Sequence, residues 1–349
     1  MSTGPNLLSG LRVIDLTRNL PGPFATRMLA DLGASIIKIE PPQGDPARAL
    51  GPLFQALNQN KDCRTLDLHQ SGDLDQLRTW LENTDVLLEG FRPGVMASMG
   101  LDFDALKAIN PRLVLCSITG YGQQGPWAHR AGHDLNYMAM SGALDQMRSA
   151  QGQPTLSNIQ WGDLAGGSSM ACIAILAAVF DVGRRGQGCH VDVSMTHGLW
   201  AHQVMPQSTG AMLAPMLGHL PGAREDLLNG ALPCYNLYLT QDGRSLAVGA
   251  LEHKFWKAAC EVLQRPDWAD QHWQRGLMPN SPESNAVRDQ VAALIATQPL
   301  SHWVERFAEV DACVTPVLTL SEAQAHPLFV SAKTSAATTP TRQPWLITA

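Results

Sequence analysis

The sequence predicts an α/β protein, with a mostly parallel sheet in a large domain and a smaller α+β domain later in the chain. Three observations support this class. The 349 residues are 45% hydrophobic and 16% charged, enough to bury a sizeable core and, at about 150 residues per domain, to form two domains. Short apolar strands alternate with amphipathic helices through the first half. Beyond residue 200 the pattern changes and a hairpin signal appears.

The start of the chain has the pattern of a βαβ unit. Residues 12–16 form a short apolar run, Phe24, Met28 and Leu32 mark one face of a helix that ends at Gly33, and residues 35–39 are apolar and extended. The alternation continues with a strand at 65–68, a helix over 73–82, a strand at 85–88, a helix near 103–109 and a strand at 113–118. Such alternation predicts a Rossmann-like, mostly parallel sheet covered by helices.

The remaining elements define the domain boundaries. A helix from about Gly166 to Val182 and a strand at 189–194 flank a glycine-rich segment. Apolar runs at 234–240 and 244–248 predict a hairpin, and helical patterns near 252–263, 284–297 and 300–309 lead to a strand at 312–318. We therefore expect the first part of the large domain at 1–204, the small domain at 205–305, and a return to the large domain at 306–349.

Composition excludes several functional classes. A net charge of −6 argues against a nucleic-acid partner, which usually requires a basic surface. The seven cysteines are scattered without metal-ligand spacing, so we expect no metal site and reduced thiols in a cytoplasmic protein. The N-terminal segment lacks the basic and apolar regions of a signal peptide. The longest apolar run, from Met170 to Phe180, is about half of the roughly 20 residues that cross a bilayer, so we expect no membrane span.

Two glycine-flanked motifs carry candidate acid–base residues. Gly132-His133-Asp134 supplies an imidazole, which titrates near neutrality, and Gly162-Asp163 supplies a carboxylate thirty positions after the histidine. Partial burial would raise the pKa of Asp163 and suit it to proton transfer. The structural alternatives are a hydrogen-bonded loop histidine and a helix-capping aspartate. Residue chemistry alone leaves both interpretations open.

Further motifs stand around this pair, at residues 16–23, 30–40 and 91–95. Together they resemble the class III CoA-transferase family over about residues 8–330. The histidine motif is similar to that of the α-methylacyl-CoA racemase branch, which inverts a carbon next to a thioester. The resemblance implies an acyl-CoA substrate, no further cofactor, and an interlocked homodimer whose site is shared between the large domain of one subunit and the small domain of its partner.

The resemblance also implies roles for individual residues. His133 and Asp163 would be bases on opposite faces of the α-carbon, and Glu252 would pair with the histidine. For Glu252 a helix-capping role is the rival interpretation. An enolate between the two bases needs donors at its oxygen, and the backbone N–H groups of residues 166–168, at the expected helix start, are candidates.

The resemblance implies that two segments and one arginine of this chain contact CoA. The residues are Leu57, Asn58, Asn60, Lys61, Gly90, Phe91, Arg92 and Arg130, of which Lys61, Arg92 and Arg130 would meet phosphates. The chain departs from its relatives at Pro41, where an arginine is frequent, and at Asn229-Gly230-Ala231, where a second glycine is usual. One adenine or phosphate contact is therefore in question.

The leading interpretation is a racemase or epimerase acting by two-base proton transfer. A CoA-transferase is the alternative, in which Asp163 attacks an acyl-CoA thioester and forms a mixed anhydride before CoA passes to a second carboxylate. Such a mechanism needs no base on the opposite face, so His133 favours the racemase. A CoA-binding protein without catalytic activity is the third possibility, and the presence of His133, Asp163 and Glu252 argues against it.

Overall fold

The computed structural model describes residues 6–149 and 152–329, and the chain divides into two compact units. Among the described residues, 6–144 and 155–203 form the first unit. The second unit comprises 204–329 together with the short segment from 145 to 154, of which 145–149 and 152–154 are described.

The first unit contains a six-stranded sheet in which every neighbouring pair is parallel. Its strands are β1 (Arg12–Asp15), β2 (Ser35–Glu40), β3 (Asp62–Thr65), β4 (Val86–Glu89), β5 (Val114–Thr119) and β6 (His190–Ser194). The spatial order is β3-β2-β1-β4-β5-β6. This is the doubly wound Rossmann order, which reverses direction between β1 and β4. The predicted parallel α/β sheet is confirmed.

Strand composition follows position in the sheet. Central strands are covered on both faces and therefore read as continuous apolar runs, and all six residues of β5 are buried. The edge strand β3 is exposed along its whole length and carries Asp62, Cys63 and Arg64. Its polar character explains why the prediction of a strand at 65–68 was wrong by three residues: the apolar Leu66 and Leu68 lie just beyond the strand.

Helices cover both faces of this sheet. They are α1 (Pro21–Asp31), α2 (Gly51–Asn58), α3 (Ser71–Leu81), α4 (Val95–Ser98), α5 (Phe103–Ile109), α6 (Asp134–Met140), α7 (Met170–Arg185) and α8 (Met195–His202). Leu29 of α1 and Ile175 of α7 are fully buried in the core on one face, and Leu77 of α3 and Leu106 of α5 in the core on the other. Each such side chain contributes about 1.5–3 kcal/mol by leaving water.

A π-helix, Gly162–Ser169, runs directly into α7. The prediction of a helix start near Gly166 is therefore wrong by about four residues, because the glycines that indicated a boundary are helical. By length and composition alone, the continuous helix from Gly162 to Arg185 could cross a bilayer. Core helices of soluble proteins can have the same length and composition. Ala171, Ile175 and Ala178 of its α7 part are buried in the sheet core.

The second unit is built on a three-stranded antiparallel sheet in the order β7-β8-β9. Its elements are α9 (Val204–Leu217), β7 (Tyr235–Leu239), β8 (Ser245–Gly249), α10 (His253–Val262), α11 (Pro282–Ile295), α12 (Leu300–Phe307), β9 (Val314–Pro316) and α13 (Leu320–Ala325), with short 3₁₀ turns between some of them. Trp256 and Trp303 lie in its core. The predicted hairpin is confirmed as β7 and β8.

The predicted return to the large domain at residue 306 is wrong for the described residues up to 329. β9 pairs with β8, so the chain after α12 completes the small sheet. The apolar run at 312–318 indicated a strand correctly but carried no information about its partner. The remainder of the predicted return, 330–349, lies outside the described residues.

Candidate active site

Asp163 lies in the first turn of the π-helix, and Asp134 fixes its position. The Asp163 backbone N–H donates to Asp134 Oδ1 over 2.9 Å. Asp134 is the first residue of α6 and directly follows His133. The two sequence motifs are thus joined by a hydrogen bond that neither motif indicated, and Asp134 is a functional candidate that sequence reasoning missed.

The electrostatic surroundings of Asp163 raise its pKa to about 7. Burial is the main cause, and the neighbouring Asp134 carboxylate adds to it. Burial also raises the pKa of Asp134, against the opposing effect of the N–H groups of Asp163 and Gly162. At neutral pH Asp163 therefore divides between its acid and base forms, as a group that both accepts and donates protons must.

His133 occupies the N-cap position of α6 and is exposed. Its backbone N–H donates to Asn136 Oδ1 over 3.0 Å, and its carbonyl accepts the Asn136 N–H over 2.8 Å. The backbone around His133 is fixed by these two bonds, while the residue itself faces solvent. The structure thus places an accessible imidazole one residue before the aspartate that anchors Asp163.

Tyr137, on the same helix, fixes the turn before His133. Its hydroxyl donates to the Gly132 carbonyl, and its ring packs edge-on against Tyr121 at 5.4 Å. A Cβ at Gly120 would come within 2.4 Å of that ring, so glycine is required there. Burial, with a further effect from Asp163, raises the pKa of Tyr137 to about 12. The sequence did not single out Tyr137, because its only signal there is an aromatic side chain placed one helical turn after His133.

The glycines of the π-helix serve packing. A Cβ at Gly166 would lie 2.3 Å from the Met195 carbonyl oxygen, and one at Gly198 would lie 2.2 Å from the Gly166 oxygen. The π-helix and α8 therefore approach backbone to backbone. Because the helix begins at Gly162, residues 166–168 lie inside it. The prediction that their N–H groups form a free donor set at a helix start is wrong.

A cavity of about 410 Å³ opens at the carboxyl ends of β1 to β4. Leu16, Ile39 and Leu66 line it, and Phe91 and Arg18 contribute side chains, with the Arg18 guanidinium 5.8 Å from the Phe91 ring centre. It adjoins the point where the strand order reverses, which is where open parallel sheets bind ligands. Pro41, the departure from the family pattern, is also part of the lining.

Lys61 is directed inward, away from solvent. Its ammonium contacts Thr26 Oγ1 at 2.7 Å, the Pro23 carbonyl at 2.8 Å, Asn58 Oδ1 at 2.9 Å and Asp15 Oδ2 at 3.3 Å, and its side chain is wholly buried. Burial lowers the pKa of Lys61 to about 8, against the effect of Asp15. No donor is left for a ligand, so the prediction that Lys61 meets a phosphate is contradicted.

The other residues carried over for CoA fall into two groups. Leu57 and Asn58 are buried, and Asn58 Nδ2 donates to the Phe54 carbonyl. Asn60, Gly90, Arg92 and Arg130 are exposed, with the Arg130 guanidinium 5.4 Å from the Trp127 ring centre. Contacts of the exposed residues with CoA remain predictions.

Glu89, at the end of β4, supports the Gly90-Phe91-Arg92 segment. Its Oε2 accepts the Phe91 N–H over 2.7 Å, and its carboxyl also bonds Ser117. Burial raises the pKa of Glu89 to about 7. This buried acid was not among the predicted site residues, because an acidic residue closing an apolar strand resembles an ordinary strand end.

Glu252 lies in the second unit, at the N-cap position of α10, and is exposed. Its side chain makes no capping hydrogen bond, which argues against the capping interpretation. Residues 272–274 hold the backbone on both sides of it. Trp273 Nε1 donates to the Leu251 carbonyl over 2.6 Å, and the His253 N–H donates to Gln274 Oε1 over 2.9 Å. The pairing of Glu252 with His133 stays a prediction.

Within the described residues, no group of three or more His, Cys, Asp or Glu side chains is placed to hold a metal ion.

The chain is similar to known proteins over nearly its whole length. The family model described as CoA-transferase family III matches residues 8–346. The human alpha-methylacyl-CoA racemase is 33% identical over 328 residues, covering 91% of this chain and 80% of that protein. The acetyl-CoA:oxalate CoA-transferase of Acetobacter aceti is 34% identical over 326 residues, covering 90% and 81%. A crystal structure of a CaiB/BaiF family protein from Brucella suis superposes with a TM-score of 0.76 at 26% identity, covering 92% and 86%.

Proposed function

This chain belongs to CoA-transferase family III, and we propose that it is a racemase or epimerase that inverts the α-carbon of a 2-methylacyl-CoA thioester. One observation carries the proposal: His133 directly precedes Asp134, whose carboxylate anchors Asp163, a carboxyl with a pKa of about 7. An exposed imidazole and a carboxyl whose pKa lies near neutrality thus belong to one anchored arrangement. The similarity to the human racemase supports the same assignment.

The reaction proceeds in two proton transfers. The base on one face of the substrate removes the α-proton, leaving an enolate, and the protonated group on the other face delivers a proton to the same carbon. Asp163 and His133 fill these roles and exchange them for the opposite enantiomer. Each positioned base contributes about 10²- to 10⁴-fold to the rate. In this scheme Glu252 orients the imidazole and stabilises its charged form.

The cavity at the carboxyl ends of β1 to β4 is the proposed CoA site. Phe91 and Arg18 line it, Arg92 follows on the exposed segment that Glu89 supports, and Arg130 supplies a further solvent-facing guanidinium. Guanidinium groups pair with phosphates through two parallel hydrogen bonds. We propose no cofactor besides the thioester substrate itself.

The proposed cellular setting is the cytoplasm, and the proposed assembly a homodimer. All seven cysteines are free thiols, which fits a reducing compartment.

A CoA-transferase is the second candidate, and a specific observation favours it: the Acetobacter aceti transferase is as similar to this chain as the racemase is. Asp163 would attack the thioester carbonyl, form a mixed anhydride and release the CoA thiolate, which then attacks the aspartyl carbonyl to give an aspartyl-CoA thioester and free the donor acid. A second carboxylate would attack this thioester to form a new mixed anhydride, and the released thiolate would attack the acyl carbonyl of that anhydride, giving the new acyl-CoA and regenerating Asp163. The pH dependence separates the two. A nucleophilic Asp163 must be ionised, so transfer rises with pH through about 7, whereas proton exchange between an acid and a base gives a bell-shaped profile.

The test incubates the purified protein with one enantiomer of 2-methylbutanoyl-CoA in deuterium oxide, with and without added acetate, and follows the α-proton by NMR. In the unaltered protein the proposal expects loss of the α-proton together with optical purity, independent of acetate. Racemisation should be lost in both Asp163→Ala and His133→Ala, whereas α-proton exchange of the supplied enantiomer should be lost only in the variant that lacks the base on its face. Asp104→Asn and His129→Gln, at exposed positions, serve as controls. Acetyl-CoA formation that needs acetate and Asp163, without α-proton exchange, would instead establish the transferase.

A further inference from the structure

Arg18 lies just after β1, and its side chain lines the cavity at the carboxyl ends of β1 to β4. It is the one lysine or arginine among the described residues of that lining. Its guanidinium lies 5.8 Å from the Phe91 ring centre and has no hydrogen-bond or ion-pair partner within the described chain. Asp67, the one acid of the described lining, is engaged within its own turn, because its Oδ1 accepts the His69 N–H over 3.1 Å. A guanidinium without a partner beside a cavity favours an anion, and its planar fork fits a phosphate.

A buried ion pair holds the backbone on both sides of Arg18. Lys38 Nζ donates to the Thr17 carbonyl over 2.8 Å and lies 2.9 Å from Asp45 Oδ2. Asp45 Oδ1 accepts the Asn19 N–H over 3.1 Å. The Thr17 carbonyl belongs to the peptide unit before Arg18, and the Asn19 N–H belongs to the peptide unit after it. One lysine–aspartate pair therefore fixes both peptide units of Arg18 and leaves its guanidinium free.

Both side chains of the pair are wholly buried. Taking two charges out of water costs free energy that their attraction only partly offsets, so a buried pair is a weak source of stability and is better explained where it fixes a geometry. Asp45 is itself anchored, because its N–H donates to Glu40 Oε2 over 2.9 Å. Arg48 holds the same Glu40 carboxylate through two bonds of 2.6 and 2.8 Å. The pair therefore holds the Arg18 backbone from a fixed position.

Capping is the structural alternative for Asp45, whose Oδ1 also accepts the Ala47 N–H over 2.9 Å at the start of the 3₁₀ turn that follows it. A cap requires one acceptor oxygen and no cation. Capping accounts neither for the buried Lys38 at Oδ2 nor for the left-handed backbone of Asn19, whose φ is 64°. Asparagine tolerates this region better than most residues, and the bond to Asp45 holds it there. The pair thus keeps the turn in a conformation that few residues adopt.

We propose that the Lys38–Asp45 pair positions Arg18 to bind a phosphate group of CoA. Arg18 contacts the ligand, and the two buried residues are positioning residues that act through it. This inference rests on the proposed function, in which the cavity at the carboxyl ends of β1 to β4 is the CoA site. CoA offers two sources of phosphate: the ribose 3′-phosphate and the diphosphate.

Titration calorimetry of the full-length protein with CoA tests the role of Arg18. Arg18→Ala should raise Kd about tenfold, as expected for the loss of a hydrogen bond to a charged group, and Arg18→Lys should retain part of the affinity. Arg112→Ala, at an exposed arginine just before β5 and so at the other end of the strands, is the matched control and should bind CoA as the parent does. An unchanged Kd in Arg18→Ala would overturn the proposal.

A double-mutant cycle tests whether the pair acts through Arg18. Asp45→Asn keeps a capping oxygen but removes the charge opposite Lys38. It should raise Kd for CoA about fivefold in the parent and leave Kd unchanged in the Arg18→Ala background. Asp102→Asn, at the aspartate that caps α5 through the Ala105 N–H, is the control and should not affect CoA binding. Equal losses in the two backgrounds, or no loss in the parent, would contradict positioning through Arg18.

Asn19→Val repeats the cycle without altering the buried pair. Asn19 is exposed, and a β-branched side chain disfavours its left-handed φ, so the turn moves while Lys38 and Asp45 stay intact. CoA binding should weaken in the parent and not in the Arg18→Ala background. Thermal unfolding shows that each variant is folded before titration. Unchanged CoA affinity in folded Asn19→Val would mean that the turn does not position Arg18.

Titration with 3′-dephospho-CoA distinguishes the two phosphate sources. If Arg18 binds the 3′-phosphate, the parent and Arg18→Ala bind this analogue equally, and if Arg18 binds the diphosphate, a difference of about tenfold remains. In α-proton exchange, Arg18→Ala and Asp45→Asn should raise KM and leave kcat nearly unchanged, because a phosphate contact is the same in the ground and transition states. Failure of the proposed function is separate: the unaltered protein then exchanges no α-proton, whatever the calorimetry shows.

Discussion

Asp163 has a pKa of about 7, and this raised value makes folding stability depend on pH. A carboxyl whose folded pKa lies above its unfolded value stabilises the fold at low pH, and this contribution is lost as pH rises toward the folded pKa. Asp163→Asn should therefore be more stable than the parent at pH 8 by on the order of 2 kcal/mol, with little difference near pH 4.

Urea unfolding at several pH values measures this difference. Asp104→Asn, at an exposed position on α5, is the matched control and should show no such pH dependence. An identical stability difference at pH 5 and pH 8 would contradict the burial of Asp163 as the cause of its raised pKa.

Lys61 and Asp15 form a wholly buried ion pair under α1. Burial raises the pKa of Asp15, but Lys61 and Lys38 together bring it below its ordinary value. Lys61→Met should cost about 3–5 kcal/mol, because it leaves the Asp15 charge buried with one cation fewer. The double variant Lys61→Met with Asp15→Asn should be less destabilised than the single one, and Lys107→Met at an exposed site should be neutral. A neutral Lys61→Met would place the lysine in solvent.

At the scale of single residues, the sequence predicts the histidine and aspartate motifs but not what links them. The sequence places Asp134 directly after His133. Only the folded chain shows that the Asp134 carboxylate accepts a hydrogen bond from the Asp163 backbone N–H. From sequence, a lysine beside a predicted phosphate-binding motif is expected to be an exposed cation. Lys61 is internal because Asp15, Thr26 and Asn58, which belong to three separate elements, converge on its ammonium group.

Among the elements, the short turn at 272–274 supports the segment that carries Glu252. Gln274→Ala removes the acceptor for the His253 N–H, and Trp273→Phe removes the donor to Leu251. Each should lower kcat about tenfold with KM nearly unchanged, because Glu252 is displaced while substrate contacts remain. Steady-state kinetics of α-proton exchange check this, with Gln271→Ala as control. A change in KM alone would assign the turn to binding.

The contact between the π-helix and α8 depends on glycine. Gly198→Ala would place a Cβ 2.2 Å from the Gly166 oxygen and should cost about 1–3 kcal/mol of unfolding free energy. Gly183→Ala is the matched control, since it lies within α7 with open space around it and should stabilise by about 0.5–1 kcal/mol. Thermal unfolding compares the two, and a stabilised Gly198→Ala would contradict the backbone contact.

Helices and strands could be predicted from the sequence where their burial in the fold agrees with their pattern of apolar residues. The strands β1, β2, β4 and β5 each contain an apolar run because both faces of the sheet are covered, so their positions follow from sequence. Helix α9 was missed because methionine, glycine and proline interrupt its pattern, with Pro215 inside it. The π-helix start was missed because its glycines, which allow close packing, are also the usual sign of a helix end.

For the whole molecule, alternating strands and helices predict a parallel sheet but not the limits of each unit. Residues 145–149 and 152–154 lie in the second unit, although residues 6–144 and 155–203 lie in the first. Likewise β9 adds to the small sheet rather than returning to the large one. Both depend on contacts between residues distant in sequence, which periodicity does not report.

Large apolar side chains at the surface favour the proposed homodimer. Phe180 is 68% exposed in the first unit, and Met216 and Leu220 are 64% and 70% exposed in the second. A dimer interface that covered these side chains would remove their apolar surface from water. Sedimentation equilibrium should give one species of twice 37.7 kDa at micromolar concentration. A species of 37.7 kDa would contradict the dimer.

The two-base mechanism is tested most directly by stereospecific exchange. Each enantiomer of 2-methylbutanoyl-CoA is incubated separately in deuterium oxide with His133→Gln and with Asp163→Asn, and loss of the α-proton is followed by NMR. If the two residues act on opposite faces, each variant removes the proton of one enantiomer only, and the two variants act on opposite enantiomers. Exchange of both enantiomers by either variant, or none by the unaltered protein, would contradict the mechanism.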